Sequence, residues 1–316
     1  MVVHYQLQHH VQHVETSLNM KYIAAQPEIR YYEWQVDTMI YSFLDNGVLP
    51  SDIIILLGKT EDYSFDRLRK KYKGVTFASY PYIQESNYLP AIKPYLMARF
   101  FGSCACKSDE QYYYCDADTI LTKPLPIFDK NYVYCSDTKN YIGYNYIISK
   151  GEEILDIMAN TVKIDKRIIK ERQEDSGGGQ FIFSGTDEKF WNEVYKNSIK
   201  LYTEMSRYNA NHIKLYEGTY PIQAWTAEMW ATLWQFWKAG RKTRIVEQLD
   251  FAWSTDEIAR LDQVSILHNA GITSDEKFDN FFKKTDYRNS YPPMDLDITK
   301  SHCSYYYYRA INDSAC

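Results

Sequence analysis

From Tyr32 to Leu44 the apolar residues Trp34, Val36, Met39, Ile40, Phe43 and Leu44 recur at helical spacing, and Asn46-Gly47 closes the run. Lys21 to Ala25, just before it, reads as a short strand broken by Gln26-Pro27. Asp52 to Leu57 is a continuous apolar stretch, the pattern of a strand buried on both faces of a parallel sheet. Phe65 to Tyr72 reads as a basic helix, Val75 to Ser79 as a strand, and Pro94 to Phe101 as a helix stopped by Gly102. Gln111 to Cys115 is a further strand, running straight into Asp116-Ala117-Asp118. This β-α-β-α-β-α-β rhythm predicts an α/β fold with an open, mostly parallel sheet flanked by helices. Ligands of such sheets bind beyond the carboxyl ends of the strands.

The second half is less regular. Gly177-Gly178-Gly179 reads as a turn before a strand over Gln180 to Ser184, followed by a helix from Thr186 or Asp187 through Tyr195. Ala227 to Trp237 is a strong helix whose Trp230, Leu233, Trp234 and Trp237 share one face, a stripe that predicts core. Val264 to His268 is a strand leading into Asn269-Ala270-Gly271. No repeat and no Pro/Gly/Ser linker divides the chain. One domain over residues 1–316 is therefore expected, with a regular half at about 20–125 and a less regular half at about 126–316.

Composition narrows the function. The net charge of -5 argues against bulk nucleic-acid binding, although Lys163, Lys166, Arg167, Lys170 and Arg172 form a dense local basic run. The longest apolar run, Ile53 to Leu57, is far too short to span a bilayer, and Met1 to Tyr5 shows no secretory start. A cytoplasmic setting with free thiols is the expectation, since Cys104-Ala105-Cys106 lacks zinc-knuckle spacing. The 30 tyrosines fit either a wet ligand groove or a nucleotide-composition bias.

Asp116 and Asp118 carry the first candidate chemistry. Residues i and i+2 of an extended segment point to one side, so two carboxylates converge directly after a buried strand. Such oxygens suit Mg²⁺ or Mn²⁺ completed by a nucleotide's phosphates; the alternative is a surface turn with two solvated acids. His268 ends a strand, and its imidazole would complete a mixed nitrogen and oxygen site. Lys277, Lys283 and Lys284 lie downstream as candidate diphosphate contacts or a solvated lysine face.

The Tyr112-Tyr113-Tyr114-Cys115-Asp116-Ala117-Asp118 unit, with the late Ile266-Leu267-His268-Asn269-Ala270-Gly271, resembles the metal and nucleotide-sugar apparatus of GT-A fold glycosyltransferases. His268 and Gly271 match the late His-x-x-Gly-x-x-Lys of the glycogenin and bacterial galactosyltransferase branch. Ser274 stands where that lysine belongs, with Lys277 three residues later. Tyr31 to Asp37 and Gly178-Gly179-Gln180 are also similar to segments of hydroxyproline arabinosyltransferases and peptidyl-serine galactosyltransferases, and of viral and phage glycosyltransferases that act on hydroxymethylated DNA bases. The resemblance spans roughly residues 20–290.

The resemblance implies a GT-A, Rossmann-like fold and a metal-dependent hexosyl- or pentosyltransferase using a nucleoside-diphosphate sugar, with UDP-sugar favoured. Asp116, Asp118 and His268 would hold Mn²⁺ or Mg²⁺. Ala24 and Gln26 would face the nucleotide base, Lys93 and Arg99 the donor, and Lys277 the diphosphate. Gly179 would let the backbone approach the ligand and Gln180 would bond a donor-sugar hydroxyl. Glu228, or else Asp175, would be the base of an inverting reaction; a retaining one requires no dedicated base. A glycan, a protein and hydroxymethylated DNA all stand as acceptors, with the host cytoplasm as the setting if the protein is viral. A catalytically silent nucleotide-sugar-binding module and a nucleotidyltransferase, which would release pyrophosphate, are the competing readings.

Overall fold

The computed structural model describes residues 20–82, 86–103, 109–215 and 221–315. In chain order the elements are β1 (Met20–Pro27), α1 (Arg30–Asp45), β2 (Ile53–Lys59), α2 (Asp66–Lys71), β3 (Thr76–Pro81), α3 (Ile92–Phe101), β4 (Gln111–Tyr114), β5 (Thr119–Leu121) and β6 (Val133–Asp137). Four short helices follow: α4 (Lys139–Ile142), α5 (Tyr144–Ser149), α6 (Glu152–Val162) and α7 (Lys166–Glu171). The remainder is β7 (Gly177–Phe183), α8 (Glu188–Leu215), α9 (Ala227–Lys238), β8 (Thr243–Ile245), β9 (Phe251–Trp253), β10 (Ile266–His268) and α10 (Cys303–Ala315).

The main sheet has seven strands in the order β3-β2-β1-β4-β7-β6-β8. β3, β2, β1 and β4 run parallel, β7 is antiparallel to both its neighbours, and β8 is parallel to β6. This is the expected mixed α/β architecture with a mostly parallel sheet. The chain winds outward from β1 through β2 to β3, then returns to place β4 on β1's other side. The order reverses there, and a crevice opens where Pro27 and Asp116 leave the sheet.

Alternation along β1 divides the core. Ile23 and Ala25 face α3, α8 and α9, whereas Tyr22 and Ala24 face α1 and α2. The tryptophan stripe of α9 is core, as its spacing predicts: Trp230, Leu233, Trp234 and Trp237 are all buried against the sheet. A third cluster joins Trp34 of α1 to Ile120, Leu267, Phe282 and Tyr307 of α10. It closes the small sheet β5-β10-β9 over the end of α1.

Two expectations are corrected. Gly177 to Gly179 is not a turn but the start of β7, because Gly177 lies hard against β6. A Cβ there would meet Cys135 Sγ at 2.2 Å and the Ser136 carbonyl at 2.6 Å. The β6–β7 register then slips past Gly179 and Gln180, and Gly179 takes φ +77°. The helix expected to end near Tyr195 runs to Leu215, its apolar face continuing onto α3, α6 and α9 through Leu201 and Met205. Among the described cysteines, Cys115, Cys135 and Cys303 are free and buried; Cys104, Cys106 and Cys316 lie outside the described residues.

Candidate active site

The acidic motif sits just past β4 and is built differently from its expected extended form. Thr119 N–H donates to the Asp116 carbonyl at 3.1 Å, so Asp116 to Thr119 is a tight turn. The turn leads into β5, which pairs antiparallel with β10 so that Thr119 faces His268. Asn269 N–H then donates to the Asp118 carbonyl at 2.9 Å. Sheet pairing therefore brings the early acids and the late histidine together. One ligand atom from each of Asp116, Asp118 and His268 lies within 4.8 Å of the other two. Two carboxylates and an imidazole suit Mn²⁺ or Mg²⁺, whose bonds of about 2.1 Å require only a small closing of that spread. The donor set fits such an ion. Trp253 stacks on the His268 ring, centroids 5.7 Å apart and planes 17° apart, fixing its orientation.

Two lysines neutralise the acids. Lys93, in the first turn of α3, donates to Asp116 Oδ1 at 2.8 Å and pairs with Glu228 Oε2 at 2.9 Å. Burial pulls the Lys93 ammonium down, but the Asp116 and Glu228 carboxylates more than offset this and hold it well above the usual lysine value. Lys284 donates to Asp118 Oδ2, while His268 Nε2 lies 3.3 Å from Asp118 Oδ1. Burial alone would push Asp118 up; Lys284 and His268 instead hold it well below the ordinary carboxylate range.

Glu228 opens α9, where a carboxylate complements the helix N-terminus. It also reaches the crevice. Its N–H donates to the Tyr88 hydroxyl at 2.9 Å, and Tyr88 in turn donates to the Trp225 carbonyl at 2.8 Å. Tyr114 OH donates to Glu228 Oε1 at 3.4 Å. Burial raises the Glu228 carboxyl, with Lys93 pulling partly the other way.

Two chambers meet at these groups. The first, about 230 Å³, is bounded by Ala25, Gln26, Pro27, Tyr31, Tyr32 and Gln35 at the end of β1 and start of α1. The second, about 180 Å³, is walled by Tyr141, Gly179, Phe181, Trp253, His268 and Ala270. Lys93, Asp116, Asp118, Trp225, Glu228, Met229 and Lys284 border both. Trp225 is 63% exposed, so it stands at the mouth and not in the core.

The structure thus gathers Gln26, Lys93, Asp116, Asp118, Gly179, Glu228 and His268 into one crevice. The other candidates are not brought to it. Ala24 points into the α1 side of the core, one residue out of phase with Ala25. Arg99 is exposed on α3, its guanidinium over the Tyr95 ring. Lys277 is exposed and paired with Asp275 at 3.2 Å; Lys284 takes the place by the acids instead. Asp175 sits in a turn beside β8, its carbonyl accepting from Thr243. Gln180 is buried within the sheet, its Oε1 accepting from Ser136 at 2.6 Å.

Tyr31, Tyr32, Gln35, Tyr88 and Trp253 are site residues that the chemistry-bearing motifs alone do not select. Tyr31 and Tyr32 open the helix after β1, so the rule that ligands bind beyond strand ends is the signal that finds them.

No family model and no curated protein matches this chain. Solved structures to which it is similar include the bifunctional glycosyltransferase WbbM, at TM-score 0.46 and 11% identity over 80% of this chain and 46% of that one. The galactosyltransferase LgtC, solved with donor and acceptor sugar analogues, matches at TM-score 0.44 and 10% identity over 93% and 96% of the two chains. The glycosyltransferase GlyE of Streptococcus pneumoniae matches at TM-score 0.39 and 11% identity, over 93% of this chain and 63% of that one. The chain spans about half the length of WbbM. Among the described residues, no helix is long and apolar enough to cross a membrane.

Proposed function

We propose that the protein is a metal-dependent GT-A glycosyltransferase that moves a sugar from a nucleoside-diphosphate sugar, with UDP-sugar favoured, to a hydroxyl acceptor. The observation that carries this reading is the convergence of Asp116, Asp118 and His268 at the crevice where the strand order reverses, between two chambers and beside two lysines. We read the chain as one working unit, residues 20–125 supplying most of the donor side and 126–316 the acceptor side.

Asp116, Asp118 and His268 would hold Mn²⁺ or Mg²⁺, which when bound neutralises charge on the leaving diphosphate. Gln26, Tyr31 and Tyr32 would receive the nucleoside in the first chamber. Lys93 and Lys284 add positive charge on either side of the phosphates. The second chamber, with Tyr141, Phe181 and Trp253 in its wall, fits a neutral acceptor ring. As the bond from anomeric carbon to phosphate oxygen breaks and the acceptor oxygen attacks, Glu228 Oε1 would take the acceptor proton in an inverting reaction. Lys93 would keep Oε2 occupied and the carboxylate fixed.

A glycan, a protein or a hydroxymethylated DNA base would each present a suitable hydroxyl. The basic run favours the first two, because Lys166 and Arg167 are paired with Asp156 and Asp165 and border a hollow separate from the crevice. The buried free thiols agree with a cytoplasmic setting. The test is hydrolysis or transfer from UDP-sugars with Mn²⁺, followed by product analysis. Released UDP supports the reading. Pyrophosphate would identify a nucleotidyltransferase, and binding without turnover on any donor or acceptor a silent module.

A further inference from the structure

Lys284 stands in an unusual place for a phosphate-binding lysine. Its ammonium donates directly to Asp118 Oδ2, and the Asp118 side chain is only 10% exposed. The Lys284 side chain is itself 26% exposed. The other acid is treated in the same way: Lys93, from a different element, holds Asp116 Oδ1. Both carboxylates that would hold a cation are therefore already neutralised by the chain's own cations.

This arrangement has a consequence for binding order. A divalent ion reaching Asp118 either displaces the Lys284 ammonium or settles beside it. In the first case it breaks a partly buried, charge-assisted hydrogen bond and leaves the half-buried lysine without its partner. In the second, two like charges a few ångströms apart repel in a partly desolvated crevice. Either way the lysine opposes the ion. A diphosphate arriving with the ion reverses this, because its oxygens give the ammonium a new partner. Lys284 borders both chambers, so the phosphates of a donor bridging them come within its reach.

We propose that Lys284 is an internal competitor that makes metal binding conditional on the nucleoside diphosphate. The inference rests on the metal-site reading above and deepens it. Lys284 imposes the coupling; Lys93, clamped also by Glu228, is the fixed counter-charge. By linkage, the factor by which UDP tightens Mn²⁺ is the factor by which Mn²⁺ tightens UDP.

The test is Mn²⁺ titration followed by electron paramagnetic resonance on the full chain, with and without UDP. Wild type, Lys284→Gln and Lys284→Arg are compared, with circular dichroism confirming the fold. Lys284→Gln should bind Mn²⁺ alone about tenfold or more tightly than wild type, and UDP should tighten it by a correspondingly smaller factor. Lys284→Arg keeps the charge and should bind Mn²⁺ alone as weakly as wild type. Unchanged or weaker binding of Mn²⁺ alone by folded Lys284→Gln overturns the competitor role while leaving the metal site intact. Absence of Mn²⁺ binding in wild type, even with UDP, overturns the metal site and this inference together. If the glutamine variant does not fold, the arginine variant decides: binding of Mn²⁺ alone much tighter than wild type contradicts the proposal.

Discussion

The backbone N–H of Asn269 donates to the carbonyl oxygen of Asp118 at 2.9 Å, tying the late histidine segment to the turn after β4. Backbone pairing, and not a shared helix or loop, thus sets the distance between His268 and the acids. The side chain of His268 can be altered without disturbing that pairing. His268→Ala should weaken Mn²⁺ binding in the presence of UDP by about tenfold or more, while circular dichroism remains that of wild type. Unchanged Mn²⁺ affinity would remove His268 from the ligand set.

Glu228 gives a pH-dependent prediction. Burial raises its carboxyl above the ordinary value of 4.5, and Lys93 offsets this only in part. A base must be deprotonated, so kcat/KM should fall on the acid side with a midpoint above that of an ordinary glutamate. Glu228→Gln should abolish the limb and cut kcat by roughly 10²–10⁴-fold. Stability moves with the opposite sign. A carboxyl whose folded pKa is raised contributes stability that is complete below the unfolded pKa and is lost as pH rises through the folded one. The thermal midpoint of Glu228→Gln should therefore hold up better than wild type as pH rises from the acid side. An acid limb that persists in Glu228→Gln would assign the base elsewhere.

Gln26 bears on the choice of nucleotide. It is buried at the edge of the first chamber; its Nε2 donates to the Leu56 carbonyl at 3.4 Å, and its Oε1 has no hydrogen-bond partner among the described residues. A uracil imide N–H would satisfy that oxygen, whereas the corresponding ring nitrogen of cytosine is itself an acceptor. With Mn²⁺ present, UDP should raise the thermal midpoint more than CDP, and Gln26→Leu should narrow the affinity ratio by about tenfold. A ratio unaffected by Gln26→Leu would place base reading on other groups.

Gly177 and Gly179 separate crowding from backbone strain. A Cβ on Gly177 collides with Cys135 and Ser136, whereas on Gly179 it meets nothing within 4 Å but must adopt φ +77°. Gly179→Ala should cost roughly 1–2 kcal/mol and Gly179→Asn less, because asparagine tolerates the left-handed region. Gly177→Ala should cost clearly more, read from chemical denaturation. Equal costs at the two positions would contradict the tight β6–β7 contact.

The parallel half of the fold was legible because its strands carry local signals: the apolar run in β2, the helical spacing in α1 and the acids after β4. Asp116, Asp118, His268, Lys93 and Glu228 were legible because each lies at the end of a strand or the start of a helix. The misses have one cause, the lack of a local signal for tertiary placement. Nothing in the spacing distinguishes Lys277 from Lys284; only the packing of Phe282 among Trp34, Tyr287 and Tyr307 puts the second beside Asp118. Gly177 to Gly179 looks like a turn, and the reason for glycine there is a neighbouring strand far away in sequence. Ala24 and Ala25 differ by one step of strand phase, and the phase is set by α1 packing on one face of β1 and α3 on the other.

The central claim is that Asp116, Asp118 and His268 hold a divalent cation against a nucleoside diphosphate at the reversal of strand order. Anomalous diffraction from crystals grown with Mn²⁺ and UDP tests it most directly. A Mn²⁺ peak bonded to all three side chains and to the diphosphate, absent in Asp118→Asn, is the predicted result. UDP bound in the crevice with no Mn²⁺ peak between these residues, or a peak that survives Asp118→Asn unchanged, would contradict the account.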